Sequence, residues 1–229
     1  MVGFKRKFLD FMIESGALLF GEFTLKSGRK SPYFMNAGEM FKDGGTTAQL
    51  GNFYGNLITE SKQTDNIDFN VLFGPAYKGI PLATITAASA FYMGQNLKVC
   101  YDRKERKTHG EGSKSQTSIL GYTPQEGDKI AIVEDVTTAG TSIRDTFSLF
   151  ESEGNKAEFV ALYIAVDRME KGTENISATD EIRQKYGMKV YSIVTVLDII
   201  EYLKDDNCKI PNAKTYADKI SEYLKEHGV

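Results

Sequence analysis

At 229 residues, 41% of them hydrophobic, the chain is long enough for one α/β unit with a substantial core. A net charge of −3 excludes general attraction to nucleic acid or anionic membrane, so any anion binding must be local. The two cysteines, Cys100 and Cys208, lie far apart without metal-ligand spacing, and no apolar run approaches the ~20 residues of a membrane span or forms a signal-peptide h-region; a reducing, cytoplasmic setting is expected.

Phe4, Phe8, Phe11 and Met12 recur at helical spacing among charged residues, predicting an amphipathic helix that ends near Gly16. Leu18 to Leu25 and Ser31 to Asn36 read as two short strands around the turn Lys26-Ser27-Gly28-Arg29-Lys30. This hairpin precedes the main strand and helix alternation, so it is expected to sit over the sheet as a small separate lobe. Lys26, Arg29 and Lys30 with Phe34 make a basic, aromatic patch, which composition alone assigns to a solvated turn. Leu50, Phe53, Tyr54, Leu57 and Ile58 then predict a helix within residues 46–61.

Val71-Leu72-Phe73 is the next buried strand, followed by Gly74-Pro75-Ala76-Tyr77-Lys78-Gly79 and a helix to about Met93. Gly74 and Gly79 allow the backbone to approach a ligand closely, and Lys78 can place a cation there. Leu97 to Tyr101 reads as a third strand. After it, Arg103 to Ser113 contains no apolar residue, so a core cannot hold it; its cations suit a lid over a polyanion.

The aliphatic run Lys129-Ile130-Ala131-Ile132-Val133 has no polar alternation and reads as a strand buried on both faces. It stops at Glu134 and Asp135, and small hydroxyl residues, Gly140 and a helix follow. Strand, turn and helix in that order place free backbone N–H groups and the positive end of a helix dipole at one spot, which suits a phosphate monoester. The two carboxylates would repel that phosphate, so they should face a sugar diol, a Mg2+ ion or a carbon that becomes cationic. A ribose 5-phosphate satisfies both halves.

Phe159 to Val166 is another buried strand, ending in Asp167-Arg168-Met169-Glu170-Lys171-Gly172, where Arg168 can form a bidentate pair with a carboxylate. A polar helix over 175–186, a strand over 190–196 and helices over 197–203 and 215–227 complete the chain. About five largely parallel strands with crossover helices give a doubly wound α/β arrangement.

Residues 129–142 resemble the binding signature for 5-phosphoribosyl 1-pyrophosphate (PRPP) of type I phosphoribosyltransferases. Residues 25–34, and the pattern Asp167-Arg168 followed by Glu170 and Gly172, resemble the orotate phosphoribosyltransferases within that family. The resemblance covers nearly the whole chain. It implies the type I fold, a twisted, mostly parallel five-stranded sheet flanked by helices with a small N-terminal hood: one domain over 1–229, with the hood at 1–40, the PRPP-binding core at 46–196 and a flexible catalytic loop at 103–113. It implies transfer of the phosphoribosyl group from PRPP to orotate in de novo pyrimidine (UMP) biosynthesis, giving orotidine 5'-monophosphate and pyrophosphate. Mg2+ would be held mainly through PRPP and pyrophosphate, with no protein ligand assigned.

By the same resemblance PRPP would be met by Lys26, Tyr77, Lys78, Arg103, Lys104, Lys107, His109, Glu134, Asp135, Val136, Thr137, Thr138, Ala139, Gly140, Thr141 and Ser142. Lys78, Lys107, Glu134 and Asp135 would carry catalysis. Orotate would be met by Lys26, Phe34, Met35, Thr138 and Arg168; Met35 stands where many members have Phe, and Met169 replaces a residue that is often polar. The loop would be shared across a homodimer. Two alternatives are a PRPP-dependent transferase for another base, opposed by residues 26–34 and Arg168, and a non-catalytic PRPP sensor, opposed by the cationic loop.

Overall fold

The computed structural model describes residues 3–25, 28–103, 118–136, 140–172 and 176–229. Helix α1 (Phe4–Ser15) turns Phe8, Leu9, Phe11 and Met12 into the core and stops at Gly16, whose φ of 83° is the left-handed conformation that a side chain disfavours. β1 (Leu18–Thr24) and β2 (Lys30–Met35) form their own two-stranded antiparallel sheet. This is the hood, and it shares the core of the domain: Leu18 and Tyr33 are buried in the same cluster as Leu72, Val133 and Tyr163. A lone two-stranded ribbon is marginal in water, so its inward residues are spent on the common core. Helix α2 (Gly44–Thr64) starts at a capping box in which Asp43 accepts from the Thr46 N–H and the Thr46 hydroxyl accepts from the Asp43 N–H.

The aliphatic runs become β3 (Val71–Gly74), β4 (Lys98–Asp102), β6 (Lys129–Val136), β7 (Glu158–Asp167) and β8 (Lys189–Thr195), all parallel to one another. A short β5 (Ile119–Gly121) pairs antiparallel with β4, so the sheet has six strands in the order β5-β4-β3-β6-β7-β8 rather than the five expected. Three residues are too few to show an alternation, and their pairing is imposed by β4.

The pleat divides the core in two. Ile130, Ile132, Leu162 and Ile164 face helix α4 (Thr141–Ser152) through Ile143 and Phe150, while Ala131, Val133 and Tyr163 lie on the side of α2 and of Leu82 and Ala83 in helix α3 (Gly79–Tyr92). Helix α5 (Ala178–Tyr186) joins β7 to β8, and α6 (Val196–Lys204) and α7 (Ala213–His227) close the chain, α7 packing on β2. Among the described residues no helix is long and apolar enough to cross a membrane.

Winding runs one way from β3 to β4 and the other way from β6 to β7 and β8. β3 and β6 are therefore neighbours at the point where the direction reverses, and their carboxyl ends border a crevice that no crossover helix covers. At the mouth of β3, Gly74 and Gly79 are pressed together: a Cβ on Gly74 would overlap the Gly79 carbonyl. Their need for glycine is thus internal to the loop, not only a matter of admitting a ligand. Gly74→Ala should destabilise the fold by about 1–3 kcal/mol as an overpacked site, lowering Tm by about 2–4 °C per kcal/mol for a chain of this size; an unchanged melting curve would contradict the close packing.

Candidate active site

Both sequence motifs singled out around Lys78 and Asp135 meet at this crevice. Lys78 sits just before α3, and its Nζ donates to Asp135 Oδ2 at 2.9 Å. The lysine side chain is 54% exposed and the aspartate 13%. Asp135 is further fixed by the Val136 N–H, which donates to Oδ1 at 2.8 Å, and Glu134 Oε1 accepts from the Asp135 N–H at 3.1 Å. By strand parity Glu134 starts on the α4 face with Ile130 and Ile132, and Asp135 on the α3 face with Ala131 and Val133. The adjacent carboxylates thus begin from opposite sides of the sheet. Glu134 is buried, and burial first, with the charge of Asp135 second, pushes its carboxyl up to about 7. Asp135 keeps the solvent-facing partner.

Residues the sequence reading did not single out hold this arrangement. Tyr54, wholly buried in α2, donates its hydroxyl to the Glu134 carbonyl oxygen at 2.7 Å and so fixes the strand from beneath. The Ala76 N–H, beside a cis Ala76–Tyr77 peptide, donates to Asp102 Oδ1 at the end of β4. Tyr77 itself is 67% exposed. Asp102 carried one signal in the sequence, a carboxylate closing an apolar strand just before a cationic stretch. Next to it the Arg103 N–H donates to the Ser118 carbonyl at 2.9 Å, and the Ser118 N–H to Glu153 at 2.9 Å.

Beyond β6, Gly140 adopts φ 62° and opens α4 without a side-chain cap. The first N–H groups of a helix have no partner within it, so this end can receive an anion. Thr141 is exposed and Ser142 half-buried at that end. Arg144 reaches back to the Thr141 hydroxyl at 3.3 Å and also donates to Glu181 at 3.3 Å.

One strand further, Val166 lies opposite Val136, and β7 ends where Asp167 accepts from the Met169 N–H and the Thr179 hydroxyl. Arg168 follows, only 5% exposed, with its guanidinium on Glu170 and 4.4 Å above the Tyr33 ring. On β2 the pleat sends Phe34 and Met35 to opposite faces: Phe34 is 36% exposed and stacks on Phe23, whereas Met35 packs against the core with Tyr33. Lys26, Lys104, Lys107, His109, Thr137, Thr138 and Ala139 lie outside the described residues.

The phosphoribosyl transferase domain family matches residues 50–186. The chain is 43% identical over its whole length to the orotate phosphoribosyltransferase of Clostridium botulinum (strain Alaska E43 / Type E3), covering 99% of it. It is 45% identical to that of Pseudomonas fluorescens (strain SBW25), with both chains fully covered. The crystal structure of orotate phosphoribosyltransferase from Francisella tularensis superposes with a TM-score of 0.79 at 33% identity, spanning 97% of this chain and all of that one. A match of this extent in sequence and fold places the chain in the orotate phosphoribosyltransferase family.

Proposed function

We propose that the chain transfers the 5-phosphoribosyl group of PRPP to orotate, forming orotidine 5'-monophosphate and pyrophosphate on the route to UMP. The observation that carries this reading is the order of groups along the carboxyl edge of the sheet: Lys78 at β3, Glu134 and Asp135 at β6, the open start of α4 beside them, and Arg168 after β7. Neighbouring strands are about 4.8 Å apart, so β3 and β7 flank the β6 site at about 5 Å on either side. A ribose over β6, its 5-phosphate on α4, thus has a cation on one side for the departing pyrophosphate and an arginine on the other for the carboxylate of the incoming base.

The C1–oxygen bond breaks with its electron pair leaving on pyrophosphate, and a ring nitrogen of orotate bonds to C1, its proton passing to the departing pyrophosphate or to water. Positive charge grows on the sugar and negative charge on the leaving group, so rate comes from charges fixed in advance. Asp135 and Glu134 take the ribose hydroxyls and stand beside the cationic carbon. Lys78, with Tyr77, Arg103 and the family-assigned Lys104, Lys107 and His109, receives the pyrophosphate. Thr137, Thr138 and Ala139 would complete the phosphate turn with Gly140, Thr141 and Ser142, and Lys26 would serve both substrates. The base side is Arg168 with Thr138 and with Phe34 and Met35 of β2, where Met35 shares the Tyr33 face.

Mg2+ suits this donor set as an ion brought with PRPP: Glu134 and Asp135 are the nearby carboxylates, and Asp135 already holds Lys78. Bound there, it would neutralise pyrophosphate charge. A homodimer accords with α3, which has no charged residue and leaves Pro81, Thr84, Ala88, Phe91 and Tyr92 exposed for a second copy. A cytoplasmic setting accords with the unpaired thiols of Cys100 and Cys208.

Pyrophosphate release from PRPP and Mg2+ should require orotate and fail with uracil, hypoxanthine or adenine; turnover with one of those bases would overturn the base assignment. Replacing Phe91 and Tyr92 together by Asp should convert a dimer to a monomer by light scattering, and an unchanged mass would count against α3 as the interface. Because folded Glu134 holds its proton up to about 7, above the ordinary carboxylate range, its stabilising contribution is present in acid and lost as pH rises through about 7. Glu134→Gln should therefore raise Tm relative to the parent at pH 8 but not at pH 5; an equal difference at both would show that Glu134 titrates normally.

A further inference from the structure

Arg168 and the hood turn are joined by a single carboxylate. Glu170 Oε1 accepts from Arg168 Nε at 2.8 Å, from Arg168 Nη2, and from the Tyr33 hydroxyl at 3.3 Å. Its Oε2 faces Nη1 of Arg29 in the hood turn at 3.9 Å. That turn is closed by its own backbone, the Leu25 N–H on the Arg29 carbonyl and the Gly28 N–H on the Leu25 carbonyl, both at 2.9 Å. The Glu170 side chain is 11% exposed and Arg168 lies on the Tyr33 ring, which is braced edge-on by Tyr223 of α7.

The backbone carrying Arg168 and Glu170 is held equally closely. Met169 takes φ 50°, the left-handed region a non-glycine residue enters only when its surroundings enforce it. The end of the chain supplies that enforcement: the Val229 N–H donates to the Met169 carbonyl at 3.1 Å, the Lys171 N–H to the His227 carbonyl at 2.8 Å, and Glu170 bridges Gly228.

We propose that Glu170 is a positioning residue for the base site, holding Arg168 of the β7 end and Arg29 of the hood in one frame. The three charges sum to +1, which matches a base bearing one carboxylate. A buried Arg168 without Glu170 would be free to rotate on its long stem and would have to be ordered anew by each orotate bound; with Glu170 two of its donors are committed and the plane of the guanidinium is set. Arg29 thereby becomes a specificity residue that acts through the same carboxylate. The proposal rests on reading Arg168 as the partner of the orotate carboxylate.

The test is a double-mutant cycle with KM measured separately for orotate and PRPP. Arg168→Ala and Glu170→Ala should each raise the orotate KM by about tenfold or more, as loss of a buried charge partner does, and leave the PRPP KM within about twofold. The double variant should be little worse than either alone, because Glu170 works through Arg168. Glu170→Gln, which keeps the shape and an acceptor oxygen, should recover most of the loss, and it carries the test if Glu170→Ala fails to melt cooperatively. Arg29→Ala, at a third-exposed side chain, should raise the orotate KM about threefold through the weaker contact. Full additivity in the cycle, an equal rise in both KM values, or a Gln variant no better than Ala would overturn the positioning role while leaving the base assignment intact. An orotate KM unmoved by Arg168→Ala would overturn the base assignment itself, and the role of Glu170 with it.

Discussion

The reversal of winding between β3 and β6 is the constraint on which the rest depends. Parallel crossovers are right-handed, so a chain that proceeds one way from β3 and the other way from β6 must place α3 and α4 on opposite faces of the sheet. The two loops then diverge from neighbouring strands, and the space between them stays open to a ligand. Pairing of Lys78 with Asp135 spans this gap but does not close it. With a lysine 54% exposed, such a pair is worth about 0–1 kcal/mol, so a polyanion can compete for the cation without a large loss of stability. The same two side chains are thus held close in the free protein and remain available to substrate.

Burial gives the two carboxylates different characters. Asp135 lies at the sheet's rim with a cation and a backbone N–H on its oxygens, whereas Glu134 enters the α4 face and is held by its own strand. Asp135 is committed to a cation at the rim, and Glu134 is the carboxylate whose charge burial opposes. The strand that presents them is anchored from beneath by the Tyr54 hydroxyl on the Glu134 carbonyl, so their spacing is set by the core of α2 rather than by the loop that follows.

Much of this was legible in the chain because the determining patterns are local. Ile130 to Val133, Leu72 and Phe73, and Phe159 to Val166 announce buried strands by their lack of alternation, and the glycines and hydroxyl residues after them mark the ligand-facing turns. β5 escaped because three residues have no period. Tyr54 and Asp102 escaped for another reason, and Glu170 was visible only as a motif member without a role: each acts through a partner distant in the chain or fixed by tertiary folding, and nothing in a helix stripe or strand run distinguishes a packing tyrosine from one whose hydroxyl holds a carbonyl. The opposite faces of Phe34 and Met35 follow from the two-residue period of a strand.

The hydrogen bond from the Arg103 N–H to the Ser118 carbonyl closes the β4 and β5 hairpin at the point where the intervening segment leaves and returns. Loop-closure entropy grows only with the logarithm of length, and both ends of this segment are already joined. The register of β4 and β5 is thus fixed without reference to what lies between Arg103 and Ser118. Strand register is therefore set at the two ends of the segment, whereas its composition answers to the pyrophosphate that Lys104, Lys107 and His109 would meet.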